Sequence, residues 1–379
     1  MPQELSEGTT TFRTDSTQKI DADMPVFYNP VMKLNRDLTL LTLPAMCATW
    51  MRAPIRIALP MEASGIRAAR ILNEVVTPGL LTPACLLVND LSEDAISFAR
   101  ENVARNIGAY PSEQVEFSVG DASAFLRSLN GAEYVDIDPF GTPNPFLDAA
   151  VRCVTRGGVL AVTATDTSAL AGTYPRATAR KYWSVPSRTW GMHEWGLRIL
   201  IRKVQLVAAQ YERALVPVLS LATDHYYRIF FRLVGSNADV QKILSQHGLV
   251  RVDTAVHSAL PTTDVTGATG PLWMGALHDA VFVAAMIVEA ERDPVRFKEA
   301  LSLLRLVADE TRVNALGFVD LHELSSSLGI QCPSRDTVLE TLGEDAGRTH
   351  LCPFGFVTRL PIETVTKKVQ EIATKKLSP

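Results

Sequence analysis

Cysteine is sparse in this 379-residue chain and is scattered where it occurs. The five thiols, Cys47, Cys85, Cys153, Cys332 and Cys352, are odd in number and include no Cys-x-x-Cys pair, which speaks against a disulfide framework and a zinc knuckle. Free thiols in a reducing cytosol, and no metal, are the expectation. No long apolar run is present. The most apolar later stretch, residues 276–290, is broken by His278 and Asp279 and is too short for a bilayer, and the polar N-terminus shows no signal peptide. A cytoplasmic, monomeric protein without a membrane partner is expected. Charge of one sign is also lacking. A formal net charge of -4 excludes a general polyanion binder, so any nucleic-acid surface must be a local patch. With 47% hydrophobic residues the chain builds full cores, and its length is natural for two domains.

What the chain does have is Tyr134-Val135-Asp136-Ile137-Asp138-Pro139-Phe140-Gly141-Thr142-Pro143. Residues 133–137 read as a buried strand, and Pro139 stops it, because proline lacks an N–H and fixes its own φ. The chain leaves as an extended loop with a carboxylate, a free carbonyl and an aromatic ring at its mouth, the end of a strand where open α/β sheets bind ligands. That trio suits alkylation of a nucleobase amine, a poor nucleophile with a delocalised lone pair. Phe140 stacks on the base, while Asp138 and the Pro139 carbonyl accept from the amine. The plainer alternative is a strand end with Asp138 as a cap and Phe140 as core.

Around it, residues 1 to about 25 read as a polar arm, with at most a strand near 8–12. Phe27 and Tyr28 precede Pro30 in extended chain, and residues 32–41 follow with helical spacing. The segment 56–59 is a strand, Met61-Glu62-Ala63-Ser64-Gly65-Ile66-Arg67 its turn, and 68–74 a helix. No Gly-x-Gly-x-x-Gly stands at that turn, which weakens a dehydrogenase reading. A second strand, 86–88, ends at Asp90, 25 residues past Gly65, where such folds place the acid that holds ribose hydroxyls. Ser92 caps a helix over 93–106. Strand 115–119 ends in Gly120-Asp121-Ala122, where an acid can accept from an adenine amino group. A helix over 146–154 and a strand over 159–163 follow, and strands 216–221 and 226–234 close the sheet as a hairpin. Five βα-type units and a closing hairpin fit a class I S-adenosylmethionine-dependent methyltransferase, a Rossmann-like α/β domain over residues 1–235.

Residues 176–213 hold the most basic region, with a local balance of +6. Arg176, Arg180, Lys181, Arg198, Arg202 and Lys203, interleaved with Tyr182, Trp183, Trp190 and Trp195, are candidates for contact with RNA, and a solvated basic face is the alternative. Residues 236–379 read as a smaller α+β domain. It has helices over 238–247, 277–291 and 297–310, a strand over 249–256, a loop over 261–270, and a helix-turn-helix unit over 319–342 with wing strands within 349–358. The tail adds lysines that a solvated helix explains equally well.

Taken together, these motifs resemble the tRNA (guanine(26)-N2)-dimethyltransferase family in its shorter, archaeal type. The likeness runs from Phe27 to about Pro361. It is carried by Phe27-Tyr28-Asn29-Pro30, Asn35-Arg36-Asp37, Ser64-Gly65-Ile66-Arg67, Asn89-Asp90-Leu91-Ser92, Asp136-Ile137-Asp138-Pro139-Phe140-Gly141, Thr163-Ala164-Thr165-Asp166, Gly270-Pro271-Leu272-Trp273 and Arg348-Thr349-His350. The resemblance implies S-adenosyl-L-methionine as methyl donor, tRNA as partner and a C-terminal domain that holds it. It places Arg36, Glu62, Ser64, Gly65, Arg67, Asp90, Leu91, Asp121 and Ala122 at the cofactor, and Asp138, Pro139, Phe140 and Phe27 at the guanine. Arg348 and His350 join the RNA candidates. Two departures stand out. The family's usual acid before the Ser-Gly turn is Leu59 here, with Glu62 as a substitute, and the four cysteines many members carry after the hairpin are absent from 236–270. A methyltransferase acting on another planar amine, adenine N6 or glutamine, and a non-catalytic tRNA-binding module remain the rival readings.

Overall fold

The computed structural model describes residues 3–14, 28–51, 54–81, 84–107, 114–223, 225–254 and 258–375. Phe27 lies outside them. The described chain starts with a hairpin, β1 (Gln3–Glu7) and β2 (Thr10–Thr14), followed by helix α1 (Lys33–Thr49). A seven-stranded sheet then takes β3 (Ile55–Leu59), β4 (Ala84–Asp90), β5 (Val115–Val119), β6 (Ala132–Ile137), β7 (Val154–Ala164), β8 (Ala214–Ala222) and β9 (Tyr227–Val234). Their spatial order is β5-β4-β3-β6-β7-β9-β8. β3 to β7 run parallel, and β9 and β8 close the edge antiparallel. The central parallel strands are buried on both faces, so β6 is buried along nearly its whole length rather than at alternate positions.

Helices α2 (Ile66–Ile71), α3 (Glu93–Ile107), α4 (Ala122–Ser128) and α5 (Leu147–Cys153) connect the parallel strands, while α6 (Thr167–Leu170), α7 (Pro175–Tyr182) and α8 (Met192–Ala209) bridge β7 to β8. β3 pairs with β4 on one side and β6 on the other. The crossovers therefore leave in opposite directions at β3 and β6 and open a crevice at the carboxyl ends of the strands. This is the Rossmann-like α/β architecture.

The rest of the chain is α9 (Asn237–Leu244), a small sheet of β10 (His247–Asp253), β11 (Ser258–Thr262) and β12 (Thr269–Trp273), and helices α10 (Ala280–Ala290) and α11 (Lys298–Val313). After these come β13 (Val319–Asp320), α12 (Leu321–Ser327), α13 (Arg335–Leu342), β14 (Ala346–Arg348), β15 (Gly355–Thr358) and α14 (Ile362–Lys375). The expected loop over 261–270 is bounded by paired strands instead, and the wing pairs β14 with β15 across residues 349–354. One hydrophobic core joins α1 and one sheet face to α10 and α11. A second joins the opposite face to α5, α8 and β12. A separate small core, with Val338, Phe356 and Val369 fully buried, begins only at Val319.

The N-terminal arm departs from its polar reading, because the hairpin is docked. Asn102 and Asn106, one turn apart on α3, pair with the backbone of β2. Asn102 accepts from Arg13 N–H at 2.7 Å and donates to Arg13 O at 2.9 Å, and Asn106 does the same for Thr11 at 2.9 and 2.7 Å. Glu7 accepts from Arg36 at 2.7 and 2.5 Å and from Arg70 at 2.7 Å. Burial alone would raise the Glu7 carboxyl, but the two guanidiniums outweigh it and hold it at about 2. Phe12 is fully buried against Tyr28, ring centroids 4.7 Å apart, and Ile66. Phe12→Ala is expected to cost about 3–5 kcal/mol of stability and to expose the hairpin to protease. A melting curve and limited proteolysis check it, and an unchanged profile would mean that the hairpin does not depend on this contact.

Candidate active site

A cleft of about 1010 Å³ opens at the crevice between β3 and β6. It is lined by most of the residues the sequence singled out: Arg36, Glu62, Ser64, Arg67, Asp90, Leu91, Asp121, Ala122, Asp138, Pro139 and Phe140. Gly65 lies beneath it at the start of α2. Its φ of 74° and the 2.4 Å from an added Cβ to the Ala99 backbone leave room for no side chain. Tyr28, Asn29, Met32, Phe146, Thr165 and His225 also line the cleft, and the sequence reading assigned them no role in it. His225 sits on the turn between β8 and β9, where nothing but its place after a strand marks it.

The floor of the cleft is ionic. Asp136, inside β6, is held by both nitrogens of Arg228 on β9, each at 2.7 Å, by Tyr134 Oη at 2.8 Å and by Arg67 at 3.3 Å. Burial would raise Asp136, but Arg228 and then Arg67 outweigh it and hold the carboxyl at about 2. Arg67 also donates to Asn35 Oδ1 at 3.0 Å and Thr39 Oγ1 at 2.8 Å, and its outer nitrogen pairs with Asp138. Two buried arginines therefore set the orientation of the carboxylate at the strand end. Pro139 is buried behind it, and Phe140 projects with 55% of its surface exposed.

The opposite wall offers carboxylates. Asp90 ends β4 and accepts backbone N–H groups from Ala63 at 2.8 Å and Ser92 at 3.0 Å, which fixes its rotamer and leaves lone pairs toward the cleft. Asp121 caps α4 by accepting from Ala124 N–H at 2.8 Å. Glu62 is buried, with Oε1 accepting from Ala68 N–H at 2.7 Å. Burial pushes its carboxyl up to about 8, against the pull of Arg67. Because the folded value lies above the unfolded one of 4.5, Glu62 contributes stability in full below pH 4.5 and loses it as pH rises toward 8. Wild-type melting temperature is expected to fall across that window. Glu62→Gln should flatten the slope, by up to about 1.4 kcal/mol for each pH unit. Equal slopes in the two proteins would sink the assignment.

The RNA candidates divide. Arg176 and Arg180 are exposed on α7, and Lys181 beside them is half-buried. Arg202 is partly exposed and donates to Trp183 O at 3.1 Å. Three candidates turn inward. Arg198 is buried, pairing with Glu194 at 2.8 Å and donating to the carbonyls of Trp273 and Gly275 at 3.1 and 2.8 Å, because β12 and the chain after it cover that face of α8. Lys203 is buried with its ammonium 3.0 Å from the centroid of the Trp183 ring. His350 faces Glu310 at 2.8 Å. Arg348 is exposed but pairs with Asp336 at 2.9 Å.

Glu310, His278 and His350 bring possible ligand atoms within 4.8 Å of one another. The far ring nitrogens of the two histidines accept N–H groups of Ser220 and Ala222, at 3.3 and 3.4 Å. The nitrogens facing Glu310 therefore carry hydrogens and donate. Thr349 Oγ1 and His350 N donate to the same carboxylate at 2.6 and 2.5 Å. Four donors thus solvate one buried anion, which ties α11 to β8 and to the chain after β14.

A family model described as N2,N2-dimethylguanosine tRNA methyltransferase matches residues 8–370. The chain belongs to that family. It is a tRNA methyltransferase with a Rossmann-like catalytic fold. It is 37% identical to the tRNA (guanine(26)-N(2))-dimethyltransferase of Methanobrevibacter smithii, over 97% of this chain and 96% of that one. It is 36% identical to the tRNA (guanine(26)-N(2)/guanine(27)-N(2))-dimethyltransferase of Aquifex aeolicus, over 93% of this chain and 92% of that one. Among solved structures, the complex of Trm1 from Pyrococcus horikoshii with S-adenosyl-L-methionine is similar, with a TM-score of 0.85 at 31% identity, covering 97% of this chain and 99% of that one. No helix among the described residues is long and apolar enough to cross a membrane.

Proposed function

We propose that this methyltransferase transfers methyl groups from S-adenosyl-L-methionine to the exocyclic N2 of guanine 26 in tRNA, giving the dimethylated base. The observation that carries the reading is the meeting in one cleft of Asp138, Pro139 and Phe140 with the acidic side chains of Glu62, Asp90 and Asp121. The donor set fits the cofactor. Asp90 takes its ribose hydroxyls, Asp121 an adenine amine, and the buried Glu62 its cationic end. Arg36, Ser64, Arg67, Leu91 and Ala122 complete the wall. Bound there, S-adenosylmethionine supplies a methyl group on a sulfonium.

The chain's own residues act on the guanine. Phe140 holds the base flat, with Phe27 assigned to its other face. The Asp138 carboxylate and the Pro139 carbonyl accept from the N2 amine. As the amine turns from planar to tetrahedral, those acceptors localise its lone pair, and Asp138 takes the proton that leaves. Positioning supplies most of the acceleration. Of the basic candidates, Arg176, Arg180, Lys181, Arg202 and Arg348 are assigned to tRNA phosphates. Residues 1–235 form the catalytic domain and 236–379 the part that holds tRNA. The protein acts as a cytoplasmic monomer and takes no metal.

Labelled methyl transfer into unmodified tRNA transcripts, beside a transcript with adenine at position 26, tests the assignment. Incorporation should vanish with the guanine and yield dimethylguanosine on digestion. Persistence in the adenine transcript would move the target elsewhere. Asp138→Ala is expected to abolish transfer while leaving cofactor affinity intact. Retention of more than about a tenth of wild-type activity, worth only about 1.4 kcal/mol, rules out its role.

A further inference from the structure

The loop that presents Pro139 and Phe140 has no regular structure of its own as far as Pro143, yet it is tied at two places. On one side Gly141 N–H donates to Thr165 Oγ1 at 2.6 Å, and Thr165 N–H returns to Gly141 O at 2.9 Å. This pair joins the loop to the chain just past the end of β7. On the other side the loop meets α7. Tyr182, the last residue of that helix, is fully buried and points its hydroxyl at the loop. The phenol donates to Asp166 Oδ1 at 2.6 Å, so the Thr142 hydroxyl, 3.0 Å away, is the donor to Tyr182 Oη. Asn144 Nδ2 adds a bond to Lys181 O at 2.9 Å, and Lys181 Nζ lies 3.2 Å from Asp166 Oδ2. Burial and the neighbouring Asp166 carboxylate both push the Tyr182 phenol up, so it keeps its proton and remains a fixed donor.

The same short helix carries Arg176 and Arg180 on its outer face. One element thus faces solvent with cations and faces the catalytic loop with a phenol. We propose that Tyr182 is a positioning residue for methyl transfer: through Thr142 and Asp166 it fixes the Pro139-Phe140 loop to the helix that meets the tRNA backbone. The inference rests on the reading that Asp138, Pro139 and Phe140 hold the target base. Tyr182 touches neither base nor cofactor. It acts by holding the loop in register, and a displacement of the stacking ring by a fraction of an ångström weakens the alignment on which in-line transfer depends.

Tyr182→Phe keeps the ring and removes only the hydroxyl. In steady-state kinetics on an unmodified tRNA transcript it is expected to lower kcat about tenfold, or ~1.4 kcal/mol. KM for tRNA and Kd for S-adenosylmethionine should stay within about twofold. Thr142→Val, which cuts the same link from the loop side, should give the same loss, and the double variant should be no worse than either single one, the non-additivity of two ends of one contact. Unchanged kcat in both variants overturns the proposal. So does a raised KM for tRNA at constant kcat, which would make Tyr182 a support for the RNA-facing helix alone. If Tyr182→Phe melts early, the Thr142→Val kinetics decide. Asp138→Asn is measured in parallel. If it stays active, the reading of the site itself has failed. If it is inactive while Tyr182→Phe and Thr142→Val behave as wild type, only the positioning role falls.

Discussion

The site depends on the carboxylate of Asp136, which lies beneath the cleft rather than among the residues that line it. It sits inside β6, away from water, one residue before the strand ends and two before Asp138. Arg228 reaches it from β9 with two parallel bonds of 2.7 Å, and Arg67 reaches it from α2 at 3.3 Å. An anion there without partners would be costly, and removing one partner of such a group typically costs about 3–5 kcal/mol. With both in place, Asp136 anchors Arg67, whose outer nitrogen pairs with Asp138. The orientation of the group at the strand end is thus set by a carboxylate one turn of pleat below it and by a strand from the antiparallel edge of the sheet. The closing hairpin β8–β9 thereby does more than cover an edge, because it delivers the arginine that makes the buried acid tolerable.

A second ionic centre holds the front of the cleft. Glu7 on the N-terminal hairpin joins Arg36 of α1 to Arg70 of α2, and Tyr28 adds its hydroxyl at 3.1 Å. Arg70 is itself fully buried between Glu7, Asp37 and Glu74. Arg36 lines the cleft with the Nε–Nη2 edge of its guanidinium held by Glu7, so it presents a preset charge rather than a mobile one. The asparagines of α3 mimic a strand neighbour for β2 and hold the hairpin flat against the helix that follows Asp90. Apolar packing beneath the hairpin is confined to the cluster of Phe12, Tyr28 and Ile66, and polar pairing at defined spacing holds the rest.

These features explain what was readable in advance. The parallel strands were legible because burial on both faces demands short apolar runs, and the loops after them because proline, Ser-Gly and strand-terminal acids stand there in order. The arm was not legible. A stretch rich in Thr, Asp and Ser has no apolar period, and its docking rests on hydrogen-bonding partners 21 to 95 residues away. The basic region was half legible. Spacing alone separates a helix into faces but does not say which faces are covered. α7 has one face against α6 and α8, so Arg176 and Arg180 stay outside. α8 is covered by the sheet on one side and by β12 on another, so Arg198 is enclosed and spends its donors on backbone carbonyls. His350 was misread for the same reason, since its partner Glu310 lies 40 positions back on a helix whose acidic residues look solvated in sequence.

At Leu59, where the resemblance implies an acid, the leucine has a physical consequence. Leu59 is almost fully buried at the end of β3, within the same apolar core as Ile57, Leu86 and Val88. A carboxylate in that place would need a partner that this core does not offer, whereas leucine simply extends it. The acid stands three residues later instead, at Glu62, on a turn that lies against the cleft. There Glu62 has one backbone donor and the field of Arg67, too little to offset its desolvation, so its carboxyl is held protonated up to about 8. An acid poised in this way binds a cation by releasing a proton, whereas an acid already ionised does not. With Glu62 at the cofactor's cationic end, as proposed, affinity for that cation should therefore rise with pH below that value, with proton release on binding, so that the charge would be a titrating one rather than a fixed one.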